Sequence, residues 1–526
     1  MPPAQLIHNA FEKTAEKYPT GIHLILEDGV FVEYRETISR SLKLANWLRD
    51  RGIRTGDRVV ALLGNGRELY ELYLACSYLN AIAVPVNTQL APRECADLIA
   101  DCSPAGIVAE ALFCEKVPSA QIDNSIAVKL VTRGSFPGWE PFEEALAEAS
   151  EEAIATNASG TSAALILYTS GTTGRPKGIV LSHQALLRNA TKCRAILQIG
   201  HEDRLLAMLP GFASFGVSVE FLQTGLAGAT TIILRKFEAL EAARLIERYK
   251  VTFLAGVPTM FSRLFEPDIS AHHNMKSLRL IDVGGGPVSL QLKHDLRHLH
   301  GIETVESYGL TEISPTASIQ RPGEQNPEGS CGKPLDGFKV EARNPKGKPV
   351  APGKPGELFF KANTLMLGYW RQIETTKETI NGGWLRTGDI GKVDKRGNIY
   401  ILDRAKDMIV TNGFNVYPKE IENVIDELDD VLLTAAIGVP DEISGEKICA
   451  FVQTNGPSDL TEESVIKHCK QRLAPFKVPR CIFFVTDLPL TASGKIRRVV
   501  LRNDAAARLK AEKTESIRQK LKPVAR

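Results

Sequence analysis

A loop rich in glycine and hydroxyl residues, lying between two apolar segments, is the feature that most constrains this chain. The apolar runs 163–167 and 179–183 flank the loop, and their length and composition predict two strands. Glycines between them let the backbone approach a ligand closely. Hydroxyl and ammonium groups supply hydrogen-bond donors suited to a polyphosphate. The candidate residues are Thr169, Ser170, Gly171, Thr172, Thr173 and Lys177. The segment therefore predicts a loop that binds a triphosphate, in preference to a solvated turn.

This loop is not the phosphate loop of P-loop kinases and GTPases. That motif requires a glycine, four residues and then Gly-Lys followed by Ser or Thr. Each Gly-Lys pair in the chain lacks the upstream glycine at the required offset. The sequence therefore disfavours a P-loop nucleotidase or kinase.

Length and composition favour a multidomain globular enzyme. A chain of 526 residues is too long for one compact core. Its 43% apolar and 24% charged residues are ordinary, and a net charge of +2 gives no general case for binding nucleic acid or membrane. The nine cysteines are scattered without Cys-x-x-Cys spacing, which disfavours a zinc or redox site. With no secretory signal pattern and no apolar membrane span, we expect a soluble cytoplasmic protein.

The order of predicted elements indicates an α/β fold. Helices are predicted over residues 6–18, 34–51, 68–80, 217–226 and 239–249, alternating with strands over residues 57–63, 81–86, 205–209, 230–234 and 252–255. This alternation predicts a largely parallel sheet covered by helices. From about Gly329, short strands separated by Gly/Pro turns predict a small β-rich subdomain. Beyond Asp403, mixed helices and strands predict a smaller α+β domain.

Two further segments carry candidate nucleotide-binding residues. Gly284, Gly285, Gly286 and Pro287 follow a predicted strand over residues 278–283, and ligands bind at such strand ends in open α/β sheets. Three consecutive glycines could equally serve a tight turn. The second segment comprises Glu306, Ser307, Tyr308, Gly309, Leu310, Thr311 and Glu312. The Tyr308 ring could stack on a purine, the Thr311 hydroxyl could bind a phosphate oxygen, and the Glu312 carboxylate could hold Mg²⁺.

Five motifs in this order resemble the signatures of the adenylate-forming superfamily. That superfamily includes acyl-CoA synthetases, peptide adenylation domains and beetle luciferases. The motifs lie at residues 167–178, 308–312, 384–391, 400–409 and 489–498, so the resemblance covers nearly the whole chain. It implies an N-terminal adenylation domain over residues 1–405 and a mobile C-terminal domain over residues 406–526.

The resemblance also implies roles for residues near the end of the chain. Asp389 would accept both ribose hydroxyls and Arg404 would contact the nucleotide. Lys406 would be the hinge about which the C-terminal domain swings. Gly413 would let a pantetheine arm pass close to the backbone, and Lys495 would be the catalytic lysine.

The implied reaction uses ATP, Mg²⁺ and CoA. A carboxylate attacks the α-phosphorus of ATP, pyrophosphate leaves, and the acyl adenylate then reacts with a thiol. Lys495 would stabilise the charge that develops in the first step, and Glu312 with Mg²⁺ would neutralise the leaving pyrophosphate. The run Asn-Val-Tyr-Pro after Gly413 resembles acyl-CoA synthetases more than peptide adenylation domains. CoA is therefore the preferred acceptor, and a carrier-protein thiol is the alternative.

The acid is predicted from the segment after the strand at residues 205–209. The candidate acyl pocket residues are Phe212, Ala213, Phe215 and Gly216. Many relatives carry a histidine where Ala213 stands, and amino-acid-adenylating relatives carry an aspartate. We therefore expect a fatty or aromatic acid without an α-ammonium group. A luciferase-like oxygenase shares the motifs and stays open, whereas Glu312, Asp389, Arg404 and Lys495 together disfavour a non-catalytic relative.

Overall fold

The computed structural model describes eleven stretches of the chain. They are residues 6–117, 126–169, 177–286, 290–298, 300–404, 407–411, 414–441, 444–454, 456, 458–491 and 495–520. The chain divides into a larger unit, Met1–Val340, Phe359–Thr387 and Gly397–Ile399, and a smaller unit, Glu341–Leu358, Gly388–Arg396 and Tyr400–Arg526. The domain boundary expected between residues 405 and 406 stays a prediction.

Helices occur along the whole of the described chain. In sequence order they are α1 (Ile7–Lys17), α2 (Tyr34–Asp50), α3 (Arg67–Leu79), α4 (Pro92–Cys102), α5 (Phe142–Glu148), α6 (His183–Leu197), α7 (214–227), α8 (Ala239–Tyr249), α9 (Pro258–Leu264), α10 (Pro267–Ser270), α11 (Leu290–His298), α12 (Ile373–Thr379), α13 (Pro418–Ile425), α14 (Glu462–Arg472) and α15 (Arg498–Lys520). Short 3₁₀ turns occupy Ala111–Lys116, Thr311–Ile313 and Pro475–Lys477.

The strands follow the same order. They are β1 (Ile22–Ile25), β2 (Phe31–Glu33), β3 (Arg58–Leu62), β4 (Ile82–Pro85), β5 (Gly106–Glu110), β6 (Val128–Thr132), β7 (Glu140–Pro141), β8 (Ala163–Thr169), β9 (Lys177–Ser182), β10 (Arg204–Ala207), β11 (Thr230–Ile233), β12 (Phe253–Gly256), β13 (Leu280–Val283), β14 (Glu303–Gly309), β15 (Thr316–Ile319), β16 (Lys333–Pro334), β17 (Lys339–Arg343), β18 (Gly356–Lys361), β19 (Gly368–Tyr369), β20 (Ile380–Asn381), β21 (Trp384–Val393), β22 (Ile399–Arg404), β23 (Ile409–Thr411), β24 (Phe414–Val416), β25 (Val431–Asp441), β26 (Gly445–Thr454) and β27 (Cys481–Val485).

Two large sheets, both mainly parallel, form the body of the larger unit. The nine-stranded sheet has the order β16-β15-β14-β13-β12-β10-β11-β1-β2. The eight-stranded sheet has the order β19-β9-β8-β4-β3-β5-β6-β7. Their central pairs are parallel, and antiparallel pairs occur toward the sheet edges. The predicted α/β class and largely parallel sheet are confirmed.

One apolar cluster joins the two large sheets. Leu24 and Ile233 come from the nine-stranded sheet, and Val59 and Leu181 come from the eight-stranded sheet. Side chains of α1, α2, α3 and α7 complete the cluster, and Phe11 of α1 is fully buried within it. Burying a side chain of this size contributes roughly 1.5–3 kcal/mol, so this shared core accounts for the pairing of the two sheets.

The smaller unit has its own sheet, with strand order β24-β23-β26-β25 and with β27 beside β26. Successive residues of a strand point to opposite faces, and β25 shows this alternation. Ala436 packs against residues of α13 and α14. Ala435 and Ile437 pack on the other face with Leu501 of α15. The mixed α+β character predicted beyond Asp403 is therefore present.

The Gly/Pro-rich region after Gly329 is rich in β-strands, as predicted. It contains a five-stranded sheet in the order β17-β18-β21-β20, with β22 paired to β21.

Among the described residues, no helix is long and apolar enough to cross a membrane. A cytoplasmic location stays a prediction.

Gly225 is required for close packing of α7 against α1. A Cβ atom at this position would lie 2.2 Å from Cζ of the buried Phe11 ring. Because the ring sits in a packed core, we expect Gly225→Ala to destabilise the protein by about 1–3 kcal/mol, despite a gain of roughly 1 kcal/mol in helix propensity. Chemical denaturation would measure the change. Gly200→Ala is the control, because a Cβ there meets no atom within 4 Å; equal losses in both variants would contradict the argument.

Candidate functional site

A β-hairpin positions the two ends of the candidate phosphate loop. Thr169 ends β8, Lys177 begins β9, and the two residues face each other in the antiparallel register. The two predicted strands are therefore present. The second ends at Ser182, because the Ser182 hydroxyl accepts from the Ala185 backbone N–H at 3.2 Å and begins α6. Ser170, Gly171, Thr172 and Thr173 lie outside the described residues.

Lys177, Tyr369 and Glu312 lie together beside this hairpin. The Tyr369 hydroxyl donates to Oε1 of Glu312 at 3.0 Å. The Lys177 ammonium lies 5.2 Å from the centre of the Tyr369 ring. Burial, reinforced by the Glu312 carboxylate, raises the pKa of Tyr369 well above its usual range. Tyr369 is therefore a neutral hydrogen-bond donor that orients Glu312.

Sequence reasoning missed Tyr369. Its position follows from pairing of β19 with β9, in which Tyr369 faces Ile179. A sequence separation of 57 residues from Glu312 leaves no local pattern that could have linked the two.

Thr311 and Glu312 occupy a single 3₁₀ turn directly after β14. The Thr311 hydroxyl lies 2.9 Å from the Ser214 hydroxyl at the start of α7. Gly309 permits this turn, because a Cβ there would lie 2.1 Å from the Pro315 carbonyl oxygen. The Leu310 N–H donates to the same carbonyl at 2.9 Å. The geometry therefore brings two predicted segments, residues 212–216 and 306–312, into direct contact.

A second contact between the predicted segments involves Phe215, Gly284 and Ser307, which pack closely together. A Cβ on Gly284 would lie 2.9 Å from both the Phe215 ring and the Ser307 hydroxyl oxygen. The ends of β13 and β14 therefore meet the first turn of α7, as expected for a ligand site at the carboxyl ends of strands. Phe212 and Ala213 are half-buried in the turn before α7.

Glycine is required at two positions of this region. Gly216 is buried, and a Cβ there would lie 2.4 Å from the Pro210 carbonyl oxygen. Gly285 has a φ of +78°, which glycine adopts without strain. At Gly286, in contrast, a Cβ would lie 3.4 Å from Pro258, which is an ordinary van der Waals contact. Pro287 lies outside the described residues.

Glu306 and Tyr308 project from β14. Glu306 forms an ion pair with Lys293 of α11. Burial lowers the pKa of Lys293 to about 8. The Tyr308 ring centre lies 6.1 Å from that of Phe360, with 35° between the ring planes. Lys293 was not predicted, since it lies on a helix that carries none of the sequence motifs.

Asp282 of β13 is a second group that sequence reasoning missed. It is 2% exposed, and burial raises its pKa to about 7, against a smaller opposing effect of its hydrogen bond with Ser307. Its Oδ1 atom has no hydrogen-bond partner among the described residues. A carboxyl group that titrates near neutral pH therefore lies directly behind the contact between Ser307 and Gly284.

Within the smaller unit, Asp389 and Arg404 are neighbours. Asp389 of β21 is buried, and Nε of Arg404 lies 3.4 Å from its Oδ1 atom. The Arg404 side chain keeps 51% of its surface exposed. The pair therefore presents a carboxylate and a guanidinium group side by side. Lys406 and Gly413 lie outside the described residues.

Lys495 is exposed, and its backbone is hydrogen-bonded to Thr491. Its N–H donates to the Thr491 hydroxyl at 3.0 Å, and the Thr491 N–H donates to its carbonyl at 2.7 Å. Arg498, the first residue of α15, forms an ion pair with Glu422 at 2.6 Å. The backbone of Lys495 is therefore ordered although its side chain faces solvent.

The described residues contain no cluster of three or more His, Cys, Asp or Glu side chains suited to a metal ion. A resident metal centre held by the protein alone is therefore not found in this part of the chain. A single carboxylate such as Glu312 remains able to contribute to a metal ion bound mainly by a substrate.

Asp282→Asn should stabilise the protein at neutral and alkaline pH. The folded pKa of about 7 exceeds the usual 3.8, so folding holds a proton that the unfolded chain releases. The natural protein therefore loses free energy of unfolding when Asp282 ionises. This loss is absent below pH 3.8, grows as the pH rises, and is complete above about pH 7. At ~1.4 kcal/mol per pKa unit, it approaches about 4 kcal/mol.

Thermal unfolding of both proteins between pH 4.5 and 8.5 would measure this effect. The melting temperature of Asp282→Asn should exceed that of the natural protein at pH 8, and the difference should shrink toward pH 4.5. Asp97→Asn, at an exposed position of α4, is the control. A difference that does not change with pH would count against a buried neutral carboxyl group.

Comparison with known proteins adds family evidence to this geometry. A model described as AMP-binding enzyme matches residues 11–370, and one described as AMP-binding enzyme C-terminal domain matches residues 420–495. A long-chain-fatty-acid–CoA ligase of Yersinia pestis is 32% identical, with 94% of this chain and 93% of the relative covered. A feruloyl-CoA synthase of an Amycolatopsis species is 33% identical, with 89% and 93% covered.

A solved structure is similar over nearly the full chain. The structure of the anthranilate CoA ligase AuaEII in complex with anthranoyl-AMP has a TM-score of 0.90 and 27% identity. The similarity covers 96% of this chain and 99% of that one.

Proposed function

The chain belongs to the AMP-binding enzymes and is an acid:CoA ligase, and we propose the roles of its own residues in that reaction. The observation that carries the proposal is the convergence of three loops in the larger unit. Residues 212–216, 284–286 and 306–312 meet through the contacts of Thr311 with Ser214 and of Gly284 with Phe215 and Ser307. The first loop supplies apolar side chains, and the third supplies a hydroxyl and a carboxylate.

The first step joins two anions. A carboxylate oxygen attacks the α-phosphorus of ATP, the bond from that phosphorus to the bridging oxygen breaks, and pyrophosphate leaves. In our proposal Thr169 and Lys177 bind the phosphates together with the hydroxyls of the loop between them. Thr311 donates a hydrogen bond to a phosphate oxygen, and its contact with Ser214 orients that hydroxyl.

Glu312 fits a role as the protein ligand of Mg²⁺. It is half-buried, and its Oε1 atom is oriented by the Tyr369 hydroxyl. Mg²⁺ typically takes one or two protein carboxylates and completes its shell with phosphates and water. The ion, when bound, would neutralise charge on the phosphates. Tyr369 keeps the Glu312 carboxylate in one orientation for this purpose.

The smaller unit supplies the remaining proposed groups. Asp389 accepts hydrogen bonds from the ribose hydroxyls, and the neighbouring Arg404 binds the nucleotide phosphate. Lys495 supplies the positive charge that stabilises the adenylation transition state. Lys406 as the hinge and Gly413 at the pantetheine channel stay proposals that rest on the sequence motifs.

The acid is proposed to be aromatic or fatty and to lack an α-ammonium group. Phe212, Ala213 and Phe215 supply an apolar surface without a carboxylate that could bind an ammonium ion. The relatives named above act on a long-chain fatty acid, ferulate and anthranilate, which are acids of these two types. In the second step the CoA thiolate attacks the acyl carbonyl, and AMP leaves.

ATP–pyrophosphate exchange with a panel of fatty, aromatic, dicarboxylic and amino acids tests this proposal. We expect exchange with fatty or aromatic acids and thioester formation once CoA is added. Exchange without a CoA thioester would instead favour a carrier-protein thiol as the acceptor. Efficient exchange with free amino acids would overturn the proposed acid class.

Lys495→Ala should separate the two half-reactions. Because the lysine charge is needed only for adenylation, we expect exchange to fall by at least about 100-fold. Thioester formation from synthetic acyl adenylate and CoA should change by less than about fivefold. Lys470→Ala, an exposed lysine in the last turn of α14, is the matched control. Normal exchange by Lys495→Ala would contradict the assigned role.

A further inference from the structure

The middle of α7 is a π-helix, and a buried glutamate lies within it. The π-helical residues are Val217–Gln223, and Glu220 is 1% exposed. π-Helical segments are rare and occur frequently at functional sites. This one begins two residues after Phe215, which forms part of the proposed acid-binding surface. Glu220 is therefore a buried carboxyl group in a π-helix that directly follows this surface.

Glu220 binds the backbone of the turn that precedes its own helix. Its Oε1 atom accepts from the Leu209 N–H at 2.6 Å. Burial raises the pKa of Glu220 well above its usual range, although hydrogen bonds from the Leu209 and Met208 backbone oppose the rise. A neutral carboxyl group avoids the cost of burying a charge and still accepts this hydrogen bond.

The backbone of Glu220 is itself held in place. Its carbonyl oxygen accepts from the hydroxyls of Thr224 at 2.7 Å and Thr231 at 3.1 Å. The two threonine hydroxyls also lie 3.0 Å apart. These contacts connect the π-helical turn to β11, so the carboxyl group extends from a fixed support.

Two other side chains, Asn65 and Tyr73, bind the same turn. Asn65 Nδ2 donates to the Leu209 carbonyl at 2.8 Å, and the Gly211 N–H donates to Asn65 Oδ1 at 2.7 Å. The Tyr73 hydroxyl donates to the Gly211 carbonyl at 2.8 Å. Polar groups of Leu209 and Gly211 are thus bound by three buried side chains, immediately before Phe212 and Ala213.

We propose that Glu220 is a positioning residue for acid recognition, holding the turn at residues 208–213 so that Phe212, Ala213 and Phe215 form one acid-binding surface. This inference rests on the proposed function of that surface. Without the carboxyl group, the buried Leu209 N–H loses its acceptor, which is costly for a buried donor. The turn then shifts to regain a partner, and the shift passes along three residues to Phe212.

Glu220→Gln and Glu220→Leu test the proposal in the full-length protein. Gln keeps an oxygen acceptor of similar shape, whereas Leu removes it. We expect Glu220→Leu to raise KM for the best acid by about tenfold and to change the ranking of acids of different length or ring size. KM for ATP should change by less than about twofold, and Glu220→Gln should restore the natural acid ranking.

Gln223→Leu is the matched control, since it removes another buried polar side chain from the same π-helix. The Gln223 side chain donates to Ser218 at 3.3 Å, away from the turn. Equal effects of Gln223→Leu and Glu220→Leu on KM for the acid would show a general structural role and overturn the proposal. So would a fall in kcat alone with an unchanged ranking of acids.

Tyr73→Phe keeps the test decisive if Glu220→Leu does not fold. It removes the hydrogen bond to Gly211 and should shift the ranking of acids in the same direction, while an unchanged ranking would overturn the proposal. Exchange by the natural protein is measured first with the same acids. If the natural protein shows no acid-dependent exchange, the proposed acid class is refuted. Differences between the natural protein and the Glu220 variants test only the role of Glu220.

Discussion

The larger unit depends on a group of hydrogen-bonded polar side chains, Asn65, Glu110 and Arg235, at which strands of both large sheets end. We call this group the polar joint. Strands β3 and β5 belong to one sheet and β10 and β11 to the other. The residues that directly follow β3, β10 and β11 are buried, namely Leu63, Met208 and Leu234. Buried backbone N–H and C=O groups must be hydrogen-bonded. Asn65 meets this need by donating to the carbonyls of Leu209 and Leu234. Glu110 accepts from the Gly64 N–H at 2.6 Å and pairs with Arg235, which donates to the Asn65 carbonyl at 3.0 Å.

This joint determines where the candidate acid-binding surface lies. The turn after β10 cannot move freely, because Asn65, Tyr73 and Glu220 bind its backbone. Helix α7 then starts at a fixed point, and Ser214 meets Thr311 from the end of β14. The chemistry therefore depends on loops whose backbone is held by side chains from distant parts of the chain, while the sheets supply rigid support.

Buried carboxyl groups are accommodated in two ways in the larger unit. Glu71 is 1% exposed and lies 2.7 Å from Arg40 and 2.9 Å from Arg67, so its charge is paired. Among the described residues, Asp282 and Glu220 have no such cation. Burial raises the pKa of both, as it also raises that of Glu71 against the opposing charges of Arg40 and Arg67. Both carboxyl groups contact residues that adjoin the proposed acid-binding surface, Asp282 through Ser307 and Glu220 through Leu209. A neutral carboxyl group there can accept a hydrogen bond without adding a negative charge close to an anionic substrate.

The sequence by itself determined the class of fold, the chemistry and the nucleotide motifs. Apolar runs and helical spacing located β8, β9, α8 and several other elements to within a few residues, because these patterns report which local segments are buried and on which face. The motif at residues 308–312 identified Glu312, and the resemblance of residues 489–498 to a family motif identified Lys495. The assigned roles of these residues remain proposals.

Only the tertiary structure decided which side chains support the site. Tyr369 binds Glu312 across 57 residues, and Asn65 binds Leu209 across 144. Glu220 lies 11 residues from Leu209, yet the hydrogen bond exists only because the chain reverses between β10 and a π-helical turn. A local pattern records burial along one element, whereas these hydrogen bonds depend on how separate elements pack, so the sequence pattern held no signal for them.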